Sequence, residues 1–362
     1  MREVGRFGFV LHPLSKADLG RRYRLIGLLP EGLVRSITVR MRPRPLSHVT
    51  GVRSAMGAEA EGWFVACPLL PSQLLSDDSG LALKRVVEAV EVAAELGAKI
   101  VGLGAFTAMV GDGGLRVAEM VEVAVTTGNT YTVAVALEGT EKACELMGRR
   151  LEESRAAVMG ATGSIGRACA ILLSKRVSEL LLVGRDKKRL EGVAFEAREH
   201  GGRAKIVIST DPDSSLPRAD VVVTVTSALD AVIRPNHLKP GAVVCDVARP
   251  RDVSREVAKA RDDVLVIEGG LVKVPGEVEF GFDLGLPEGV TFACIAETMI
   301  LALEGRYENY SLGRRLEVER VEEISRLAKK HGFRLAALRS FERALTEEEV
   351  ARVRERAALR GG

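Results

Sequence analysis

The stretch Arg155-Ala156-Ala157-Val158-Met159-Gly160-Ala161-Thr162-Gly163-Ser164-Ile165-Gly166 decides the fold of this 362-residue chain. An apolar run enters a glycine-rich turn, and a helical pattern follows from Arg167 to Lys175. That order predicts a strand, a tight turn and a helix. Glycines let the backbone approach a pyrophosphate closely, and the helix N-terminus offers unpaired N–H donors to it. The spacing Gly-x-x-Gly-x-x-Gly is a variant of G-x-G-x-x-G. Taken alone it also describes an ordinary βα turn, so its context must decide.

The context is a series of strand candidates: Ala156–Met159, Glu179–Val183, Arg203–Ile208, Asp220–Val225, Ala242–Asp246 and Val264–Ile267. Helical patterns separate the early ones, which predicts βαβ crossovers and a parallel sheet. In such a sheet the tip of the second strand meets the adenosine ribose. An acidic residue there suits a 2′-hydroxyl, an arginine a 2′-phosphate. The tip reads Gly184-Arg185-Asp186-Lys187-Lys188-Arg189, so the expected cofactor is NADPH. The expected contacts are Gly160, Ala161, Thr162, Gly163, Ser164, Ile165, Gly166, Arg185 and Lys188, with Ser227 where a nicotinamide would pass. The competing reading makes the basic cluster a solvated helix start capped by Asp186.

Before this unit, Phe7–Leu11, Ser36–Arg40 and Gly62–Pro68 read as strands, and Arg40 to Pro45 as a surface loop. A helix at Leu81–Leu96 leads to a strand at Lys99–Gly104. Thr107, Asn129 and Thr130 lie in polar, glycine-containing stretches at strand ends, where open α/β sheets bind ligands, and are the candidate substrate contacts. Hydroxyl and amide side chains at such places also serve simply as helix caps.

The last third turns helical, and the architecture expected is α/β throughout. Residues 1–150 form an N-terminal α/β substrate or carrier domain, 151–275 a Rossmann-type NADP-binding domain with a parallel sheet, and 276–362 a helical C-terminal segment. His237, in a proline-glycine turn, reads as structural. Thr346-Glu347-Glu348-Glu349 opens a charged tail helix that covers the outside or packs on another subunit of a homo-oligomer.

Five cysteines form no C-x-x-C or Cys/His cluster, so no metal site is expected. With no signal-peptide pattern at the start, the cysteine usage suggests a reducing cytoplasm. A net charge of +3 gives no support for nucleic-acid binding, and no apolar run reaches membrane-spanning length. Cys294 stands apart. With Thr291 as N-cap it would be the third residue of an apolar helix, where backbone N–H groups and the helix dipole stabilise a thiolate. A thiolate can take an acyl group from a thioester. Glu297, one turn on, would handle a proton or orient the thiol, although its own charge opposes thiolate formation. The alternative is a buried structural cysteine.

Six motifs then occur in order: Leu103-Gly104-Ala105-Phe106-Thr107, Thr126-Thr127-Gly128-Asn129-Thr130, Gly160 to Gly166, Phe292-Ala293-Cys294-Ile295-Ala296-Glu297, Leu303-Glu304-Gly305 and His331-Gly332-Phe333. Over residues 7–340 the chain resembles the long-chain acyl-acyl-carrier-protein reductases. The resemblance implies NADPH-dependent reduction of a fatty acyl thioester, on acyl-carrier protein or coenzyme A, to an aldehyde through an acyl-cysteine at Cys294. Val272 to Val290 and the tail beyond Phe341 depart from the family pattern. Two other readings stay open: a shikimate-dehydrogenase-like NADP-dependent oxidoreductase without covalent catalysis, and an NADPH-binding sensor without turnover.

Overall fold

The computed structural model describes residues 3–22, 24–76 and 80–360. The chain forms two compact units whose boundaries differ from the three segments expected above. The first comprises Met1–Tyr131, Val272–Arg314 and Glu323–Arg334; the second comprises Thr132–Leu271, Arg315–Glu322 and Leu335–Gly362.

The first unit is built on five strands: β1 (Gly5–Leu11), β2 (Arg44–Arg53), β3 (Glu59–Ala66), β4 (Ile100–Leu103) and β5 (Ala124–Thr126), in the order β2-β3-β1-β4-β5. β3, β1, β4 and β5 run parallel, with β2 antiparallel at the edge. One face buries the helix Leu81–Glu95 through Val86, Ala89, Val90 and Ala93, recurring at the three- and four-residue spacing of an amphipathic helix. The helix Ala293–Glu304, which carries Cys294, packs on β1 and β4 and is almost wholly buried. Gly102 on β4 permits its approach: a Cβ there would stand 2.3 Å from Thr298 Oγ1. This contact explains why residues 272–314, distant in sequence, belong to the first unit.

The stretch Ser36–Arg40 is a helix, not a strand. Five residues of alternation fit either period, and the longer helix Glu31–Arg40 buries Val34 and Thr38, four residues apart. Pro30 precedes it, Glu31 sits in its first turn and Arg40 in its last, which are helix-end signals. The expected loop after it is short, since β2 starts at Arg44.

The second unit holds six parallel strands: β6 (Arg155–Met159), β7 (Glu179–Val183), β8 (Lys205–Ser209), β9 (Val221–Thr224), β10 (Val243–Asp246) and β11 (Leu265–Glu268). Their order, β11-β10-β9-β6-β7-β8, is the Rossmann arrangement, with the order reversing between β6 and β9. The helix Ser164–Leu173 covers the sheet through Ala168, Cys169, Ile171 and Leu172. His237 is buried with its Nε2 2.7 Å from Asp213 Oδ1, in the structural role expected. The tail helix Glu347–Arg360 opens with a reciprocal capping box: Thr346 N–H donates to Glu349, and Glu349 N–H to Thr346 Oγ1.

Candidate active site

In the first unit, the C-terminal ends of β1, β4 and β5 carry His12, the Gly104–Thr107 turn and the Thr126–Thr130 loop. Cys294 joins this loop through Gly128, which has a φ of +71°; a Cβ at Gly128 would lie 2.2 Å from the Cys294 Cα. Only glycine gives both that backbone and that approach. The N-cap of the Cys294 helix is Phe292 rather than Thr291, so Cys294 is the second helical residue rather than the third. Thr291 ends up buried with its Oγ1 unpartnered, because the short strand Val290–Phe292 runs directly into the helix.

Cys294 is half-buried, whereas the other four cysteines are buried. Burial pushes the thiols of Cys67 to about 11, Cys144 to about 12 and Cys245 to about 12, and raises that of Cys169. Thiols held protonated in this way are poor nucleophiles. Accessibility therefore separates Cys294 from its four companions.

Glu297, one turn further on, is fully buried. Its Oε1 accepts from Thr126 Oγ1 at 2.5 Å and Ser311 Oγ at 2.6 Å. Its Oε2 accepts from Thr130 Oγ1 at 2.6 Å and the Tyr131 N–H at 2.8 Å. No cationic side chain pairs with it among the described residues, so four neutral donors compensate the carboxylate. They come from two segments, residues 126–131 and Ser311, and fix the Thr126–Thr130 loop against the Cys294 helix. Ser311 holds a φ of +54° while its carbonyl accepts from Thr127 Oγ1. Thr130, expected as a substrate contact, is fully buried and donates to Glu297 instead; Thr126 and Ser311 were not singled out in the sequence, and a serine after Tyr310 carries no local signal of such a role.

Of the other candidates, Asn129 is half-buried at the start of the helix Asn129–Leu146. Thr107 is fully buried and donates to the Gly104 carbonyl at 2.7 Å, closing its own turn.

His12 was also missed. Its Nε2 accepts the Phe106 N–H at 3.1 Å, and its Nδ1 lies 3.0 Å from the Pro13 carbonyl. This pairing requires a neutral ring with its proton on Nδ1. Burial agrees, pulling the pKa from 6.5 to about 4. Between these values the unfolded chain binds the proton and the fold does not, so this stabilisation is complete above about pH 6.5 and fades as pH falls toward 4. For a half-buried ring it should amount to roughly 2 kcal/mol. Denaturant titrations of wild type and His12→Phe at pH 7.5 and pH 4.5 should show the larger acid loss in the wild type.

In the second unit the glycine turn lies at the strand-order reversal. Gly160 has a φ of +81°, and a Cβ on it would be 2.5 Å from the Val225 carbonyl oxygen. A Cβ on Gly166 would be 2.3 Å from the Gly160 oxygen, whereas at the exposed Gly163 it would make an ordinary contact of 3.4 Å with that oxygen. Gly163 is the N-cap of the helix Ser164–Leu173 and supplies no capping side chain. Two glycines thus pack the turn and the third is exposed at a helix N-terminus, which fits a dinucleotide pyrophosphate. Ala161 is buried under the turn, while Thr162, Ser164 and Ile165 are half-buried.

Arg185 and Lys188 are exposed and have no carboxylate partner among the described residues. Asp186 caps the following helix by accepting the Arg189 N–H at 3.1 Å, leaving Arg185 outside the cap. Ser227 lies in the loop after β9, which Asp252 braces. Asp252 accepts from Thr224 Oγ1 at 2.6 Å, from Thr226 N–H at 2.8 Å and from Thr226 Oγ1 at 2.5 Å. No local pattern marks this brace, which reaches Thr226 across 26 residues.

Among the described residues no cluster of histidine, cysteine or carboxylate side chains could hold a metal ion, and no helix is long and apolar enough to cross a membrane.

A family model described as shikimate / quinate 5-dehydrogenase matches residues 141–268. The aminotransferase PigE of a Serratia species is 36% identical over 357 residues, covering 95% of this chain. The chain spans 41% of that relative's length. The long-chain acyl-[acyl-carrier-protein] reductase of Synechococcus elongatus is 31% identical over 312 residues, covering 82% of this chain and 88% of the reductase. Among solved structures, quinate dehydrogenase from Corynebacterium glutamicum in complex with NAD aligns over 89% of this chain and 98% of its own, with 15% identity and a TM-score of 0.39.

Proposed function

Since the chain belongs to the family of the Synechococcus long-chain acyl-[acyl-carrier-protein] reductase, within the Rossmann-type oxidoreductases, we propose that it reduces a fatty acyl thioester to an aldehyde with NADPH. The observation carrying this reading is Cys294, the accessible cysteine at a helix start, braced through Glu297 and Gly128. The Cys294 thiolate attacks the thioester carbonyl. A carbon–sulfur bond to Cys294 forms, the bond to the donor sulfur breaks, and the donor leaves as its thiol after taking a proton. When bound, the reduced nicotinamide supplies a hydride. Hydride addition to the acyl-cysteine carbonyl and cleavage of its carbon–sulfur bond release the aldehyde and return the thiolate. Glu297 acts as a positioning residue, with both oxygens occupied by the loop it holds. Acyl-carrier protein or acyl-CoA is the donor. The first unit holds the acyl group and the second the nucleotide, through the Gly160–Gly166 turn, Arg185, Lys188 and the Ser227 loop.

Intact-mass measurement after incubation with a long-chain acyl-CoA, without reductant, tests this. The wild type should gain one acyl group and Cys294→Ala none; labelling of both, or of neither, rejects the cysteine mechanism. The NADPH reading rests on Arg185. Arg185→Asp should lower kcat/KM for NADPH about 10- to 100-fold, as expected for a lost charge-assisted phosphate contact, without a matching loss for NADH. Equal losses with both cofactors would remove the 2′-phosphate assignment.

The match of residues 141–268 to the shikimate / quinate 5-dehydrogenase model favours a second reading, direct hydride transfer to a small carbonyl substrate. It requires turnover indifferent to Cys294→Ala.

A further inference from the structure

The segment from Lys16 to Arg44 departs from the chain's charge balance. It holds eight lysines and arginines against two carboxylates, a net +6, leaving −3 on the rest of the chain. It folds as three short helices, Lys16–Arg22, Arg24–Leu28 and Glu31–Arg40, before β2 begins.

Its apolar side chains divide into two groups. Leu19, Ile26, Leu29 and Val34 turn inward and form a small cluster with Leu70. Leu25, Leu28 and Leu33 stay outside, 78%, 82% and 49% exposed. Leu25 and Leu28 are three residues apart and share a helix face; Leu33 and Arg40 share another. Arg35, Arg40 and Arg42 are exposed with no carboxylate partner among the described residues. The helix Glu31–Arg40 is firmly seated beneath them: Thr38 Oγ1 lies 2.9 Å from Gln73 Oε1, and Arg85 donates to the Val39 carbonyl at 2.9 Å.

We propose that this face docks on an anionic lipid surface. Exposed leucines and unpaired arginines carried by one basic segment suit a headgroup layer above hydrocarbon, where Arg40 and Arg42 meet phosphates and the leucines leave water. A rigid acidic protein would satisfy the arginines yet leave leucines that stand this far out in water unless it offered matching pockets. A second copy of the same face is disfavoured by charge, since two +6 segments repel.

The test is co-sedimentation of the full chain with vesicles of phosphatidylcholine alone or with 30 mol% phosphatidylglycerol, at low and high salt. Anionic vesicles should bind the protein and neutral ones only weakly, with high salt reducing the difference. Leu25→Ser with Leu28→Ser, and separately Arg40→Glu with Arg42→Glu, should each lower the partition coefficient by roughly tenfold or more. All four positions are exposed, so circular dichroism and turnover of a short, water-soluble acyl-CoA should match the wild type. Three results would overturn the proposal: no binding of the wild type to anionic vesicles, unchanged binding of both variants, or retention by an acidic carrier protein but not by vesicles. The proposal does not depend on the acyl-thioester reading: failure at vesicles leaves Cys294 labelling untouched, and failure of labelling leaves the docking face standing.

Discussion

Replacing Cys294 with serine should lower NADPH-dependent aldehyde formation by at least about a thousandfold, equivalent to about 4 kcal/mol of transition-state stabilisation. The hydroxyl is nearly the size of the thiol, and the position is half-buried, so the fold should persist with little change in Tm. What disappears is an ionisable sulfur nucleophile and the good leaving group it becomes when the acyl-cysteine is reduced. The four buried cysteines serve as internal controls. Their thiols are pushed up by burial, so Cys144→Ala or Cys245→Ala should affect stability while leaving acyl labelling in place. Retention of more than about a tenth of the rate in Cys294→Ser would remove covalent catalysis from this site.

The second large effect is expected at Glu297. Glu297→Leu deletes a fully buried carboxylate and orphans the donors of Thr126, Thr130, Ser311 and Tyr131 at once. A loss of about 3–5 kcal/mol is the usual scale for such a break. Urea denaturation followed in the full chain reads it directly. Glu297→Gln distinguishes charge from shape: it keeps the volume and accepts at one oxygen, but its amide faces donors on the other side. It should recover part of the stability, while activity falls because the Thr126–Thr130 loop no longer sits squarely against Cys294. If Glu297→Leu keeps wild-type stability, the network contributes nothing and the positioning role is wrong. If Glu297→Gln keeps full stability but loses its pH–rate profile, Glu297 exchanges a proton during turnover.

The second unit was largely legible as sequence. Glu179–Val183 keeps its expected boundaries, and the other five strands differ from theirs by at most two residues, because each is a short apolar run bounded by turn signals and helices. The Gly160–Gly166 turn was legible for the same reason, since its glycines answer constraints set within a few residues. The first unit was less so. Ser36–Arg40 has a period that five residues cannot assign, and burial of Val34 and Thr38 settled it.

Local sequence patterns were enough to specify a βαβ array with a glycine-rich turn and a cysteine near a helix start. Tertiary structure alone decided which cysteine stays accessible, why Gly128 must be glycine, and that Glu297 faces inward to hold a loop. The reason is distance along the chain. Helix, strand and turn preferences act over a few residues, whereas Glu297 meets Thr126 across 171 positions and Ser311 across 14. Only packing of the Cys294 helix on β1 and β4 brings those groups together.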